Sequence, residues 1–384
     1  MSYLHVDLHA RQRSKYAAGP CGDYLEVHRD AGGTVVLLCD GIGSGIHANL
    51  SAQFIASRIL ERIRAGSSLR RAFLDNVQTL EANRGSTMPW GALSIARIRP
   101  DGECTLLAYE SPAAIVLNGR HAIHPQMRPL RGERVLAQEG NCHLRPGDGV
   151  LLISDGLSQA GLGRNLPGMV EGWGSEKIRR ETDHLLSDGA DHKGIAEMLM
   201  DKARDLWAGE GDDMSSIVAS CRRGITVSIM TGPPENPEAD REVVQEFMRE
   251  KGFHVVCGAS TAQLVARVAG RVLDIDKSSL NAIAPPRYQI SGFDLVTEGA
   301  VTLNQLYNIL DSRDEELLDG DPVTDLHALI SNADRIRIYE GRAQNPGATG
   351  IHYRQQGILH RKHILPLLKE KWQAQGKLVE HFVR

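Results

Sequence analysis

Three stretches of this 384-residue chain bring an apolar run and a carboxylate together. In Val35–Gly45, VVLLCDGIGSG, the run ends on Asp40 and glycines follow at 41, 43 and 45. Gly149–Gly161, GVLLISDGLSQAG, leads into Asp155 and Gly156, and Gly211–Ser220, GDDMSSIVAS, sets Asp212 and Asp213 just ahead of a third run. Asp40, Asp155, Asp212 and the Gly41 carbonyl offer only oxygen, the donor set of a hard divalent cation such as Mg²⁺ or Mn²⁺. Two such ions about 3.5–4 Å apart can share one carboxylate and one water, lower that water's pKa and clamp a phosphoryl group for in-line attack. Bare backbone at Gly41 and Gly43 leaves the approach to the ions open. Taken singly, each Asp-Gly reads equally as a turn, and Asp212–Asp213 as a solvated pair. The specificity lies in the combination, because all three acids stand at the edge of a strong strand and in a definite order.

The elements that must position these acids follow from period and punctuation. Runs at Tyr24–Val27 and Thr34–Cys39 flank Asp30–Gly33 and predict a hairpin, with GPCGD, Gly19–Asp23, just ahead of it. Leu50, Phe54, Ile55, Ile59 and Ile63 recur at helical spacing up to Gly66, and Leu69, Ala72, Phe73, Val77 and Leu80 mark a second helix. Further hairpins turn at Pro100–Gly102 and at Asn118–Gly119. The Gly-rich text from Gly161 to Gly174 predicts a flap or loop, and Ile195, Met198, Leu199, Ala203, Leu206 and Trp207 a helix face. Antiparallel strands with grouped helices imply an α+β layered sandwich over residues 1–223.

The rhythm changes at Ile225. ITVSIM, a Pro-rich loop, a helix through Val243, Val244, Phe247 and Met248, FHVVC and a helix through Leu264, Val265, Val268 and Ala269 alternate strand with helix. GFDLVTEGAVTLNQLYNIL adds a strand, a turn and a helix, DRIRIYEG another strand, and Ile364–Gln375 a final helix. That order predicts a smaller α/β domain with a parallel sheet over residues 224–384. At roughly 100–200 residues per domain, two domains also suit the length.

Composition speaks against several functions. Net charge is −4, with 41% hydrophobic and 24% charged residues, so no global field favours nucleic acid or an anionic membrane. No stretch approaches the roughly 18 apolar residues of a membrane span, and the first residues lack a secretory pattern, so a cytoplasmic protein is expected. Six scattered cysteines without a CxxC pair read as reduced and structural. His360 and His363 share a helix face but lack a third ligand nearby.

GPCGDYLEV, VVLLCDGIGSGIHANLSAQF, SPAAIVLNG, LRPGDGVLLISDGLSQAG and GDDMSSIVA, in that order, resemble the metal-dependent serine/threonine phosphatases of the PPM superfamily, of the bacterial sporulation stage II E type. The resemblance covers about residues 15–222. It implies a β-sandwich flanked by helix pairs, a binuclear Mn²⁺ or Mg²⁺ centre, and a phosphoserine or phosphothreonine protein as substrate. It further implies Asp40 as the carboxylate bridging both ions, Gly41 as a carbonyl ligand, and Asp155 and Asp212 as ligands of the first ion, with Asp212 favoured over Asp213. Asp23 matches an early acidic position near the second ion. Ile42 is a mild departure from the family turn. Animal-type members use an arginine on phosphate and a histidine on the leaving group, and neither has a match here. Arg11, Arg13 or Lys15 could contact phosphate or form a solvated basic arm.

In the second domain Gly258, Ser260 and Thr261 open a helix after FHVVC and offer N–H and hydroxyl groups to an anion, although capping alone explains the hydroxyls. TGPP, Thr231–Pro234, and Thr297–Gly299 stand at neighbouring strand ends. Without a Walker lysine or GxGxxG, nucleotide hydrolysis is not expected there. The leading expectation is a protein phosphatase whose second domain senses a small anionic effector or recruits a partner, a homodimer being open. The alternatives are a catalytically weak docking protein and a phosphatase of a small phosphomonoester.

Overall fold

The structure is a computed structural model and describes residues 3–16, 19–85, 89–130, 137–209, 211–275, 286–312, 320–343 and 357–384. It divides into two compact units, Tyr3–Arg223 and Gly224–Arg384.

The first unit is an α+β sandwich of two antiparallel sheets. One holds β2 (Asp23–Asp30), β3 (Gly33–Gly41), β4 (Gly91–Ile98), β5 (Glu103–Tyr109), β9 (Ala137–His143) and β8 (Met127–Pro129), side by side in that order. The other runs β1 (Leu4–Arg13), β11 (Met214–Arg223), β10 (Gly149–Ile153), β6 (Ile115–Asn118) and β7 (His121–Ile123). The uninterrupted apolar text of β3 has a physical reason: side chains alternate across a strand, and both faces here are covered. Val36 and Leu38 pack with Ala96 and Leu106 against Val6, Val150, Leu152 and Ile217 of the other sheet. Val35, Leu37 and Cys39 point the opposite way, onto α1 (Gly45–Arg64) and α2 (Leu69–Ala82). The outer face of the second sheet is covered likewise by α3 (Asp155–Ser158), α4 (Ser175–Ser187) and α5 (His192–Trp207).

Two elements depart from the sequence reading. The basic arm envisaged around Arg11 and Arg13 is instead the end of β1, paired with β11 along its whole length from Leu4↔Arg223 to Arg13↔Met214. Helix α4 escapes a periodicity reading because the middle residue of its buried row, Ile178–Thr182–Leu186, is polar. Thr182 is tolerated there because its hydroxyl donates to the Ile178 carbonyl at 2.7 Å.

The second unit has a sheet in the order β14 (Leu273–Ile275), β15 (Arg287–Ile290), β16 (Leu295–Thr297), β13 (Phe253–Cys257), β12 (Thr226–Thr231), β17 (Arg335–Glu340), β18 (Leu378–Val383). The five strands from β16 to β18 are parallel, as α/β alternation requires, whereas β14 and β15 join the β16 edge antiparallel. Helices α6 (Asp240–Arg249) and α7 (Ala259–Ala269) cover one face. Helices α8 (Ala300–Ile309), α9 (Pro322–Ser331) and α10 (Arg361–Ala374) cover the other.

Candidate metal centre

Strand β3 delivers Asp40 one residue before its end, and the antiparallel register sets Asp23, the first residue of β2, directly opposite. The turn that follows is held closely. Gly41 donates its N–H to the Gly22 carbonyl at 3.3 Å, and a Cβ on Gly41 would lie 2.0 Å from the Ala48 carbonyl oxygen of α1. Only glycine lets the first turn of α1 close over the strand end at this point. Gly43 and Gly45, at φ +106° and +65°, reverse the chain into the helix.

The second sheet brings the remaining acids. Asp155 opens α3 directly after β10, and Asp212 and Asp213 immediately precede β11. Ser154 locks the two strand ends together: its N–H donates to the Ser215 carbonyl at 3.0 Å, and its hydroxyl accepts from the Ser215 N–H at 2.9 Å. Gly156 does what Gly41 does, since a Cβ there would sit 2.0 Å from the Asp213 carbonyl oxygen. Its own carbonyl accepts from the Trp207 indole at 2.9 Å.

The carboxylates of Asp40 and Asp155, one from each sheet, lie within hydrogen-bonding reach of each other. Burial, then the charges of Asp23, Asp155 and Asp212, pushes the Asp40 carboxyl up to about 10. Burial likewise drives Asp23 up to about 7; the Ser215 and Ser154 hydroxyls offset part of this, and Asp213 and Asp155 add to it. Asp23 is 2% exposed and neither of its oxygens has a hydrogen-bond partner of good geometry. Such a group of acids cannot all ionise without a compensating cation.

Asp212 and Asp213 face different neighbours. Asp212 is half-exposed, accepts from the Asp213 N–H at 3.0 Å and stands 3.6 Å from the Lys15 ammonium. Asp213 is buried and accepts from the Lys15 N–H at 2.8 Å. Of the three basic residues considered for phosphate, Arg11 is paired with Glu197, Arg13 is exposed, and Lys15 lies at this rim.

Several participants carried no signal in the sequence. Gln159, one turn after Asp155, donates to its carboxylate at 3.0 Å. Gln12 of β1 bridges the Asp23 carbonyl at 3.3 Å and the Ser215 hydroxyl at 3.0 Å. Cys21 is close by, but burial and then the charge of Asp23 push its thiol up to about 12, which makes it a poor nucleophile at neutral pH.

Among the described residues, no group of three or more His, Cys, Asp or Glu side chains is placed so that it could hold a metal ion. The donor chemistry nevertheless suits a hard cation: the donors are all oxygen, both buried Asp23 oxygens are without a hydrogen-bond partner of good geometry, and two glycines hold the backbone close.

In the second unit, Gly258 is the N-cap of α7 at φ +117°, and Ser260 is exposed. Thr261 is buried, and its hydroxyl accepts from the Gly232 N–H at 2.8 Å. Gly299 lies against Gly258, and Glu298 accepts from the Val301 N–H at 2.8 Å, so a carboxylate of the chain itself caps α8. His360 caps α10.

Compared with known proteins, residues 30–222 match the family model for stage II sporulation protein E (SpoIIE). No curated protein matches. Similar solved structures include the PP2C phosphatase domain with a fragment of the regulatory domain of SpoIIE from Bacillus subtilis, at 18% identity and TM-score 0.47. That alignment covers 58% of this chain and 64% of the other, so the chain spans about two thirds of its length at most. The RsbU and RsbW domains of a Mycobacterium tuberculosis protein align at 16% identity over 73% of each chain, with TM-score 0.46. The SiaA PP2C domain of Pseudomonas aeruginosa aligns at 17% identity over 56% of this chain and 85% of that one, with TM-score 0.43.

Proposed function

The chain belongs to the stage II sporulation protein E family of PPM-type protein serine/threonine phosphatases, and we propose that it hydrolyses phosphoserine or phosphothreonine on a bacterial regulatory protein, using two Mn²⁺ or Mg²⁺ ions. The observation that carries this is the meeting of Asp40 and Asp155 across two sheets, with buried Asp23 in register opposite Asp40. Asp40 would hold both ions, Asp155 and Asp212 one of them, and the Gly41 carbonyl and Asp23 the other. When bound, the ions supply Lewis acidity toward the phosphoryl oxygens and lower the pKa of water.

The chain's own residues do the rest. Gln159 holds Asp155 in orientation, and Ser154 and Ser215 keep the ends of β10 and β11 in step. Lys15 sets a positive charge beside Asp212 at the rim where a phosphate dianion would arrive. Burial and the charge of Asp23 raise the Cys21 thiol, which favours direct hydrolysis over a cysteinyl-phosphate route. Residues 224–384 would regulate or target the reaction, by a partner or a small anionic effector near Gly258 and Ser260. That role is supported by the unit's separate sheet and core.

Hydrolysis of an aryl phosphate with Mn²⁺ tests the site. Asp155→Asn should lower kcat/KM by at least about 100-fold and weaken Mn²⁺ binding in titration calorimetry. An unaltered Asp155→Asn enzyme would remove the assignment, and an inactive wild type that still binds partner proteins would favour the docking alternative. Comparing phosphopeptides with small phosphomonoesters then separates the two substrate classes.

A further inference from the structure

Three cysteines far apart in the chain meet in the core between the two sheets of the first unit. Cys104 of β5 and Cys142 of β9 stand directly opposite one another in the antiparallel register. That register is held on both sides: Leu144 donates its N–H to the Gly102 carbonyl at 2.8 Å, and the Thr105 hydroxyl donates to the Asn141 side chain at 3.0 Å. Cys221 of β11 joins the same cluster from the other sheet. Sequence spacing hides such a trio, because the contact is made across strands and not along one.

Directly opposed residues of antiparallel strands have Cα atoms about 4.5–5.5 Å apart, within the roughly 4.4–6.8 Å that a disulfide spans. The Cys104 and Cys142 sulfurs already lie within hydrogen-bonding reach of each other. Their surroundings differ. Cys104 is 1% exposed, whereas Cys142 is half-buried, because the pairing of β8 with β9 stops at Met127↔Gly140 and leaves the edge of β9 open at Cys142. The Cys104 thiol, donating to the Cys142 sulfur, holds the Cys142 thiol below its usual range, against burial and the charge of Asp148. The same bond, and then burial, pushes Cys104 well up. The accessible sulfur is thus the one that ionises first.

We propose that Cys104 and Cys142 are a reversible redox site that closes to a disulfide in the presence of a peroxide, with Cys142 as the attacking sulfur and Cys104 as the resolving one. The inference is independent of the phosphatase reading. The Cys142 thiolate attacks one oxygen of hydrogen peroxide; the S–O bond forms, the O–O bond breaks, and the departing hydroxide takes up the proton lost from Cys142 to leave as water. The Cys104 sulfur then attacks the Cys142 sulfenic acid; the S–S bond forms, the S–O bond breaks, and the oxygen leaves as a second water with the Cys104 proton. The two sulfurs lose two electrons and the peroxide gains them. The bond ties the edge strand β9 to β5 at the end of the sheet remote from Asp40, since Cys104 pairs with Ile98, whereas Asp40 pairs with Ala92 at the other end of β4.

The test treats the full chain, reduced and then freed of reductant, with a small excess of hydrogen peroxide, blocks the remaining thiols with N-ethylmaleimide and maps the peptides by mass spectrometry. Cys104 and Cys142 should be recovered as one linked pair of peptides, and dithiothreitol should return both to thiols. The oxidised chain should melt at least about 3 °C above the reduced one, because the bond closes a long loop of the unfolded chain. Cys142→Ser should leave Cys104 reduced under the same treatment, whereas Cys221→Ser should form the link as the wild type does. A wild type whose Cys104 and Cys142 both survive the peroxide, whose Cys142 passes to sulfinic acid with Cys104 still free, or whose link joins Cys221 overturns the assignment. A link found only in chain that has lost its cooperative melting overturns it equally, since it would have formed after unfolding.

Discussion

Asp23 and Asp40 are held in register across β2 and β3, and burial raises both carboxyls. A carboxyl whose native pKa exceeds its unfolded value holds its proton more tightly in the native state. The stability it contributes is complete below the ordinary value of 3.8 and is lost as pH rises, toward about 7 for Asp23 and about 10 for Asp40. The metal-free chain should therefore melt at a lower temperature at about pH 8 than at about pH 5. Asp40→Asn should flatten that slope, melt above the metal-free wild type at the higher pH, and lose the stabilisation that Mn²⁺ confers. Calorimetry with and without a chelator checks this, and a metal-free wild type that gains stability over the same range would contradict it. At this scale the acids were legible because each stands beside an apolar run. Gln12, Ser154, Gln159 and Ser215 were not, since a neutral polar residue acquires its role only from the fold that surrounds it.

The strand ends converge because two helices close over glycines. A methyl group on Gly41 would strike the Ala48 carbonyl, and one on Gly156 the Asp213 carbonyl, each at 2.0 Å from backbone that cannot rotate away. Gly41→Ala and Gly156→Ala should each cost about 1–3 kcal/mol in denaturant unfolding and reduce Mn²⁺ binding, because the clash displaces an acid as well as a helix. Gly43→Ala is the control: nothing lies within 4 Å of its added Cβ, and only its φ of +106° is strained. Equal effects at all three positions would mean that backbone conformation, and not close approach, sets the geometry. Strands β3 and β10 were readable as elements because burial on both faces makes their text uniformly apolar. Strand β1 is amphipathic at one end and charged at the other, and its alternation of Leu4, Val6, Leu8 and Ala10 is the signal that could have identified it. Helix α4 offered three inward residues, one of them a threonine. In the second unit, strand–helix alternation foretold the parallel strands, while the three-residue β14 and four-residue β15 are too short to declare their direction.

Across the whole molecule, every acid of the proposed centre comes from the unit Tyr3–Arg223, whose sheets and helices share three hydrophobic clusters. The unit Gly224–Arg384 buries both faces of its own sheet, Val227, Ile229 and Ile338 on one side and Met230, Val256 and Tyr339 on the other. A unit that completes its own core can fold alone, and at these lengths each falls in the usual range for one domain. Residues 1–223 expressed alone should then unfold cooperatively and retain Mn²⁺-dependent hydrolysis of an aryl phosphate. Residues 224–384 should give a separate cooperative transition without that activity. If 224–384 acts as a regulatory unit, its removal should change the rate on a phosphoprotein while leaving the rate on the small ester within about twofold, since the ester needs only the metal centre. Aggregation or inactivity of 1–223 would show instead that the two cores depend on one another, and equal rates on the phosphoprotein with and without 224–384 would remove the regulatory assignment.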